Sequence, residues 1–337
     1  MAKVVDVAQK AGVSPATVSR VLLARDKDKV APETRIRVLE AVEALGYQPN
    51  PMAQGLRMGR GRSVALLVGD IEQGVYSSLT KHLQAALEAI DLELLLFNLG
   101  HRQDRLRGLL ERAVAMRIRG ICIASSDVIP IRTLKPLLQD LTDAEIPVVS
   151  VGQRLDRHGI ISVARNDAAG AVQAVQHLAA RGHTPIAYLG RVKHSSSGSE
   201  RFRGYKKGLA QAGMALDKNL VWIPDTLYRY EAGYEEMSKA LERGVKVRGI
   251  LAASDELALG AIAAALDRKL RIPQDLAFVG VGGLSWGAHV RPSLTTLATA
   301  PEDIGLKVSE IFRSMEDGEQ VPLLSTVAMT LIHRGSS

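Results

Sequence analysis

AGVSPATVSRVL, residues Ala11 to Leu22, decides how the rest of this chain is read. Val4 to Lys10 predicts a short helix, Ala11-Gly12-Val13 a corner, and Pro15 to Leu23 a second helix, which together make a helix-turn-helix. Ser14 is a good N-cap, because its hydroxyl can accept from the backbone N–H groups of the next turn. Pro15 at the first helical position forfeits only an N–H that has no intrahelical partner. Val18, Val21 and Leu22 fall at i, i+3 and i+4 and form one apolar stripe against Val4, Val7 and Ala8. Pro15, Ala16, Ser19 and Arg20 are left facing outward. In a helix presented this way the N-terminal residues meet base edges while hydroxyls grip phosphates, so Arg20, Ala16 and Pro15 are assigned to base edges and Ser14, Thr17 and Ser19 to phosphates. Many short amphipathic helices also carry an outward Arg and Ser, and the following segments decide between the two readings.

A third helix is expected from Pro32 to Ala44, with Ile36, Leu39 and Val42 on one side, Arg35 and Arg37 available to a phosphate backbone, and Gly46 as its stop. The charge is uneven. Residues 1 to 62 carry 11 Lys/Arg against 6 Asp/Glu, and the remaining residues 32 against 30, so a net of +5 of the total +7 sits on the first 62 residues. That is the footprint of a small domain that meets polyanionic DNA. A membrane-surface patch would need a basic amphipathic helix with large apolar residues opposite, and none is evident.

Apolar residues make up 46% and charged residues 23% of the 337, an ordinary balance for a globular chain long enough for two or three domains. The single cysteine, Cys122, rules out an internal disulfide and lies in an apolar run, as an inert buried thiol would. The chain has neither a secretory apolar region at its start nor an apolar run of membrane-spanning length, and a cytoplasmic location is expected.

Three segments in order, VAQKAGVSPATVSRVL (7–22), TRIRVLEAVEALGYQPN (34–50) and MAQGLR (52–57), resemble the DNA-binding headpiece of the LacI/GalR family of bacterial repressors. The resemblance implies a hinge over 49–61 that becomes helical when two chains pair on DNA. It places Asn50, Ala53 and Leu56 on the DNA, Leu56 as a wedge in a minor-groove base step.

Beyond Arg62 short apolar runs alternate with amphipathic helices. Ser63 to Val68, Leu92 to Phe97, Gly120 to Ala124 and Pro147 to Val151 read as buried strands. A second set follows at Ile160 to Val163, Ile186 to Leu189, Leu220 to Ile223, Gly249 to Ala252 and Ala277 to Val281. Repeated βα units of this kind predict an α/β fold of two doubly wound parallel sheets. The serine run Ser195 to Ser197 reads as a loop. By the resemblance, the two sheets are the lobes of a periplasmic-binding-protein-like core. The implied domains are 1–48 for the helix-turn-helix headpiece, 49–61 for the hinge, 62–161 plus 292–322 for the first lobe, and 162–291 plus 323–337 for the second. The helix Pro301 to Asp317 would then join the first lobe and a strand near Val327 to His333 the second.

Ligands of such sheets bind at the carboxyl ends of the strands, so a cleft between lobes is where an effector is expected. Tyr76 stands where the family often has an aromatic, although the proline usual in that run is missing. Asn98 follows the second strand. SERFRGYKKGL, 199 to 209, matches the family's Arg-x-x-Gly-aromatic helix and makes Arg201 a forked donor to ligand hydroxyls or carboxylate. LAASDELALGA, 251 to 261, places Ser254 and Asp255 at a strand-to-helix turn where they can cap a helix or face ligand, and Tyr228 matches a covering aromatic. Relatives that bind free sugars commonly carry aspartates where this chain has Gly282 and Gly283. The effector must then be held differently, with Trp286 stacking and Gln153 and Arg154 as further candidates. The basic loop Arg191, Lys193, His194, with Arg201, would suit a phosphorylated sugar; a neutral mono- or disaccharide is ranked slightly above it.

No G-x-G-x-x-G, P-loop lysine or H-E-x-x-H pattern occurs, so no enzyme, cofactor or metal is expected. The resemblance implies a homodimeric or tetrameric repressor of a carbohydrate operon, bound to a pseudo-palindromic double-stranded operator and tuned by a sugar or sugar-phosphate effector. Control mainly by a protein partner, or a sugar-binding protein without a DNA role, are the alternatives.

Overall fold

The computed structural model describes residues 2–22, 30–47, 61–100, 102–124, 131–193, 195–224 and 229–337. They form two compact units, Met1–Arg62 and Ser63–Ser337.

The first unit holds α1 (Val4–Ala11), α2 (Pro15–Leu22) and α3 (Pro32–Ala44). Gly12 takes a left-handed conformation at the end of α1 (φ 64°), where a side chain would be strained, and the Val13 N–H reaches back to the Ala8 carbonyl at 3.0 Å. The chain can therefore turn sharply into α2. The core is small and aliphatic: Val7, Ala8 and Ala11 of α1, Val18 and Val21 of α2, and Val38 and Ala41 of α3. Here α3 departs from expectation. Ile36 and Leu39 are 56% and 44% exposed, and the buried stripe is instead Val38 and Ala41, with Val42 and Leu45 partly buried beside them. Four positions at i, i+3, i+4 and i+7 give a longer seam than Ile36 and Leu39 could.

The second unit contains two six-stranded sheets. The first has strand order β11-β5-β4-β3-β1-β2, with β1 (Ser63–Val68), β2 (Glu93–Asn98), β3 (Gly120–Ile123), β4 (Val148–Gly152), β5 (Ile161–Arg165) and β11 (Leu324–Val327), all parallel. The second has order β12-β10-β9-β8-β6-β7, with β6 (Ile186–Leu189), β7 (Val221–Trp222), β8 (Gly249–Ala252), β9 (Ala277–Gly282), β10 (Thr295–Ala298) and β12 (Thr330–Ile332). It is parallel apart from the β10–β12 pair.

Both faces of each sheet are covered by helices, which is why the strands are continuous apolar runs. Along β1 the pleat sends Val64, Leu66 and Val68 to one face. There they meet α4 (Gly74–Glu88) through Leu79, Leu83 and Leu87 and α11 (Pro301–Glu316) through Ile304, Val308 and Phe312. Ala65 and Leu67 face the other way, onto α5 (Leu106–Ala115) and α6 (Ile131–Asp143). Cys122 is buried in the first of these layers. The second sheet is packed by α7 (Asp167–Ala180), α8 (Ser196–Gln211), α9 (Tyr230–Glu242) and α10 (Asp255–Asp267). The latter two lie backbone to backbone: a Cβ on Gly260 would stand 1.8 Å from the Tyr230 carbonyl oxygen.

The lobe assignment differs from expectation by one strand at each crossing. The strand expected to open the second lobe, β5, pairs with β4 in the first sheet. Likewise β10, expected in the first lobe, pairs with β9, and β11, expected in the second, pairs with β5. The chain therefore crosses after Arg165, after Ala298 and after Val327. Helix α11 and strand β12 lie where expected. The serine run is not a loop: Ser195 caps α8 by accepting from the Gly198 N–H at 2.9 Å, and Ser196 and Ser197 are its first two residues. Among the described residues no helix is long and apolar enough to cross a membrane.

Candidate functional site

In the first unit, burying Val18 and Val21 turns the opposite face of α2 outward. Ser14, Pro15, Ala16 and Arg20 are exposed and Thr17 and Ser19 half-buried. Ser14 Oγ accepts from the Thr17 N–H at 3.1 Å and also lies 2.9 Å from the Thr17 hydroxyl, so this cap fixes the first turn of α2 and two of its hydroxyls together. The result is a short helix whose N-terminal end carries hydroxyls and one guanidinium, an arrangement that suits a phosphate backbone and a groove edge.

In the second unit the carboxyl ends of the strands of both sheets line one pocket, of about 810 Å³ counted out to open solvent at its mouth. Its apolar wall includes Val75, Tyr76 and Leu79 of α4, Val151, Val281 and Leu284. Gln153, Arg165, Arg201, Ser254, Glu256 and Thr299 supply the polar groups. Arg201 reaches in from α8, held by Asp167 Oδ1 at 2.7 Å and the Ala253 carbonyl at 2.5 Å. Asp167, at the start of α7, also faces Arg165, whose Nε is 3.7 Å from Oδ2 and whose Nη2 donates to Ser197 Oγ at 3.1 Å. Arg165 Nε and Gln153 Oε1 are buried without a hydrogen-bond partner.

The two sheets are tied across the cleft by polar contacts. The Gly74 N–H, at the start of α4, donates to Glu256 Oε1 at 3.3 Å, and Arg229 Nη2 lies 3.4 Å from Asp70 Oδ2. Burial raises the pKa of Glu256, opposed by hydrogen bonds from its own backbone, Ser254 and Gly74 and by the charge of Arg201.

Asp255, one residue earlier, is fully buried and points the other way. Its carboxylate accepts from Thr296 Oγ1 at 2.5 Å and from the Leu284 N–H at 2.9 Å, and burial raises its pKa to about 6. It occupies the space beside β9 where side chains would otherwise be: a Cβ on Gly280 would stand 2.3 Å from Asp255 Oδ1, and one on Gly282 2.8 Å from Oδ2.

The comparisons with known proteins agree with this architecture. Residues 3–50 match the family described as bacterial regulatory proteins, lacI family, and residues 175–337 match a periplasmic binding protein-like domain. Catabolite control protein A of Priestia megaterium is 31% identical over 317 residues, 94% of this chain and 93% of the relative. The chain belongs to the LacI family of bacterial regulatory proteins. The transcriptional regulator GalR of Escherichia coli (strain K12) is 28% identical over 339 residues, all of this chain and 96% of the relative. A transcriptional regulator CelR–cellobiose complex is 29% identical with TM-score 0.71 and full coverage of both chains. The Lac repressor dimer bound to operator, 23% identical with TM-score 0.85 over 99% of this chain, shares the fold. As a LacI-family member the protein is a DNA-binding transcriptional regulator, and its relatives are regulators rather than enzymes.

Within this LacI-family frame, Tyr76, Gln153, Arg201 and Ser254 all line the cleft. Four of the other effector candidates do not. Asp255 is spent on the β9–Leu284 loop. Asn98 ties its own loops, Oδ1 accepting from the Ile71 and Gly100 N–H groups at 3.3 Å each. Arg154 is turned away into a forked pair with Asp156 at 3.1 and 2.9 Å. Trp286 lies on the second lobe beside Tyr230, ring centroids 6.3 Å apart. Neither Arg191 nor Lys193 lines the pocket. Tyr228, His194, Asn50, Ala53 and Leu56 lie outside the described residues. The sequence reading missed Arg165 and Glu256. Glu256 follows two residues already singled out, and because Ser254 is an N-cap in extended conformation the backbone there turns Ser254 and Glu256 to the cleft and Asp255 away from it. Arg165 was hidden by the misplaced lobe boundary, since it is the last residue of a strand given to the wrong sheet.

Proposed function

We propose that this chain is a repressor of a carbohydrate-utilisation operon. It acts as a homodimer or tetramer on a pseudo-palindromic operator, with a small sugar or sugar-phosphate effector held between the two lobes. The observation that carries the reading is the cleft: one apolar wall with Tyr76, and convergent Arg165, Arg201, Gln153, Ser254 and Glu256 at the strand ends of both sheets. A sugar ring has an apolar face and a hydroxylated rim, and such a site answers both. Because the polar groups come from both lobes, a ligand that bridges them biases the lobe arrangement, and operator affinity is linked to it through that shared equilibrium. At the DNA, Pro15, Ala16 and Arg20 read bases and Ser14, Thr17 and Ser19 hold phosphates, with the hinge residues Asn50 and Ala53 also on the DNA and Leu56 as a wedge in the minor groove.

The test is footprinting of the full chain on genomic fragments, followed by calorimetry against a sugar panel. A discrete footprint, lost for Arg20→Ala and shifted by one sugar, is the expected result. Binding of random DNA as tightly as any discrete site would sink the DNA reading, and the absence of any tight sugar would favour control by a protein partner.

A further inference from the structure

Four charged groups meet at the cleft. Arg165, Arg201 and Glu256 line it, and Asp167 stands directly behind the two guanidiniums, 2.7 Å from one and 3.7 Å from the other. Two cations are thus answered by two carboxylates, and the interior is formally neutral only while Glu256 is ionised. The second carboxylate is not needed to hold Arg201, which already has Asp167 and the Ala253 carbonyl. Its own partners lie elsewhere: the Gly74 N–H from the other lobe, at 3.3 Å, and the Ser254 hydroxyl, both favouring the charged form. Gln73, which precedes α4, makes no side-chain cap, so Glu256 supplies a negative group to the positive end of a helix belonging to the opposite lobe. Glu256 is 8% exposed, so a ligand filling the pocket meets its charge with little water between.

We propose that Glu256 sets the charge selectivity of the cleft, admitting an uncharged polyhydroxyl ligand and rejecting a phosphorylated or carboxylated one. The proposal rests on the reading of this cleft as an effector site and narrows the effector class. A hydroxyl donates to the carboxylate and can take the place of the long Gly74 bond. A phosphate or carboxylate offers no such donor, confronts a like charge, and finds both guanidiniums already neutralised by Asp167 and Glu256. The side chains that could have overridden this, Arg191 and Lys193 of the basic loop, are not part of the pocket lining. Arg165 lines the same pocket with Nε outside any hydrogen bond and its carboxylate, Asp167, at 3.7 Å, so it is the cation left to meet an anion once the Glu256 charge is gone.

Calorimetry on the full-length protein with glucose, galactose and cellobiose, and with glucose 6-phosphate and gluconate, tests this in the wild type and in Glu256→Gln. The wild type is expected to prefer each neutral sugar it binds over the anionic counterpart, and Glu256→Gln to shift that preference toward the anion by at least about tenfold. A parallel thermal-shift series uses inorganic phosphate against chloride of equal ionic strength. Phosphate should raise the Tm of Glu256→Gln more than that of the wild type, and the added Arg165→Met substitution should abolish the difference. A wild type that binds glucose 6-phosphate more tightly than glucose overturns the proposal without any variant. A phosphate response identical in Glu256→Gln and wild type overturns it as well. If no sugar binds but the phosphate response appears in Glu256→Gln, the charge selectivity stands and the sugar reading falls. If a sugar binds and neither shift appears, the sugar reading stands and Glu256 is not its selector.

Discussion

Replacing Asp255 separates its role in the fold from any role in binding. The carboxylate is fully buried and receives two donors, Thr296 Oγ1 at 2.5 Å and the Leu284 N–H at 2.9 Å, so Asp255→Ala leaves both without a partner and opens a gap beside Gly280 and Gly282. Hydrogen bonds to a charged group contribute about 1.5–3 kcal/mol each. Burial of the charge opposes them, and the pKa of about 6, against an ordinary 3.8, leaves a net penalty on the ionised form on the order of 3 kcal/mol at 1.36 kcal/mol per unit after those bonds have acted. An isosteric neutral group escapes that penalty but makes weaker bonds, whereas a truncated one makes none. Asp255→Asn, which can accept from Leu284 and donate to the Thr296 oxygen, should therefore stay within about 1 kcal/mol of wild type at pH 7, whereas Asp255→Ala should lose about 2–4 kcal/mol.

The sign with pH follows from the raised value. The folded form binds a proton more tightly than the unfolded chain, so this group's contribution is fully present below pH 3.8 and is lost as the pH rises through about 6. Wild type should therefore gain stability relative to Asp255→Asn on acidification across that window. Urea unfolding at several pH values, followed by tryptophan fluorescence, measures it, since both tryptophans, Trp222 and Trp286, lie in the two-sheet unit. The reasoning is refuted if Asp255→Ala unfolds with the wild type at pH 7, or if the wild-type and Asn curves stay parallel from pH 4 to 7.

Two further outcomes test the packing and the cap. Gly260→Ala places a Cβ against the Tyr230 carbonyl, and helix backbone cannot move aside cheaply; a loss of about 3 kcal/mol in the same unfolding assay is expected, and unchanged stability would show that α9 and α10 are not so closely apposed. Ser14→Ala removes the acceptor for the Thr17 N–H and should cost the headpiece about 1 kcal/mol, read as faster amide exchange from Thr17 to Val21 with no change in the two-sheet unit.

Element types, the headpiece pattern and much of the cleft were legible in the residues alone. Ser14 and Pro15 mark a helix start by local chemistry, Gly12 marks a turn by its conformational freedom, and apolar runs such as Ser63–Val68 mark strands buried on both faces. Those signals act over a few residues, so they survive without knowledge of the fold. Arg201 and Ser254 were recognisable because each sits in a short motif that resembles the family's, Arg201 on a helix and Ser254 at a strand-to-helix turn. What failed was what depends on partners distant in sequence. Ile160–Val163 reads as a strand in either lobe, and only the pairing of β5 with β4 in place of the second sheet, carried on to Arg165, decides that Arg165 enters the cleft. Ile36 and Leu39 look as apolar as Val38 and Ala41, and only the approach of α1 and α2 decides which stripe is covered. Asp255 and Glu256 are adjacent carboxylates with the same local signature. One fills the space left by Gly280 and Gly282 and the other caps a helix of the opposite lobe, a distinction made by sheet packing and lobe contact, which are properties of the folded chain in three dimensions.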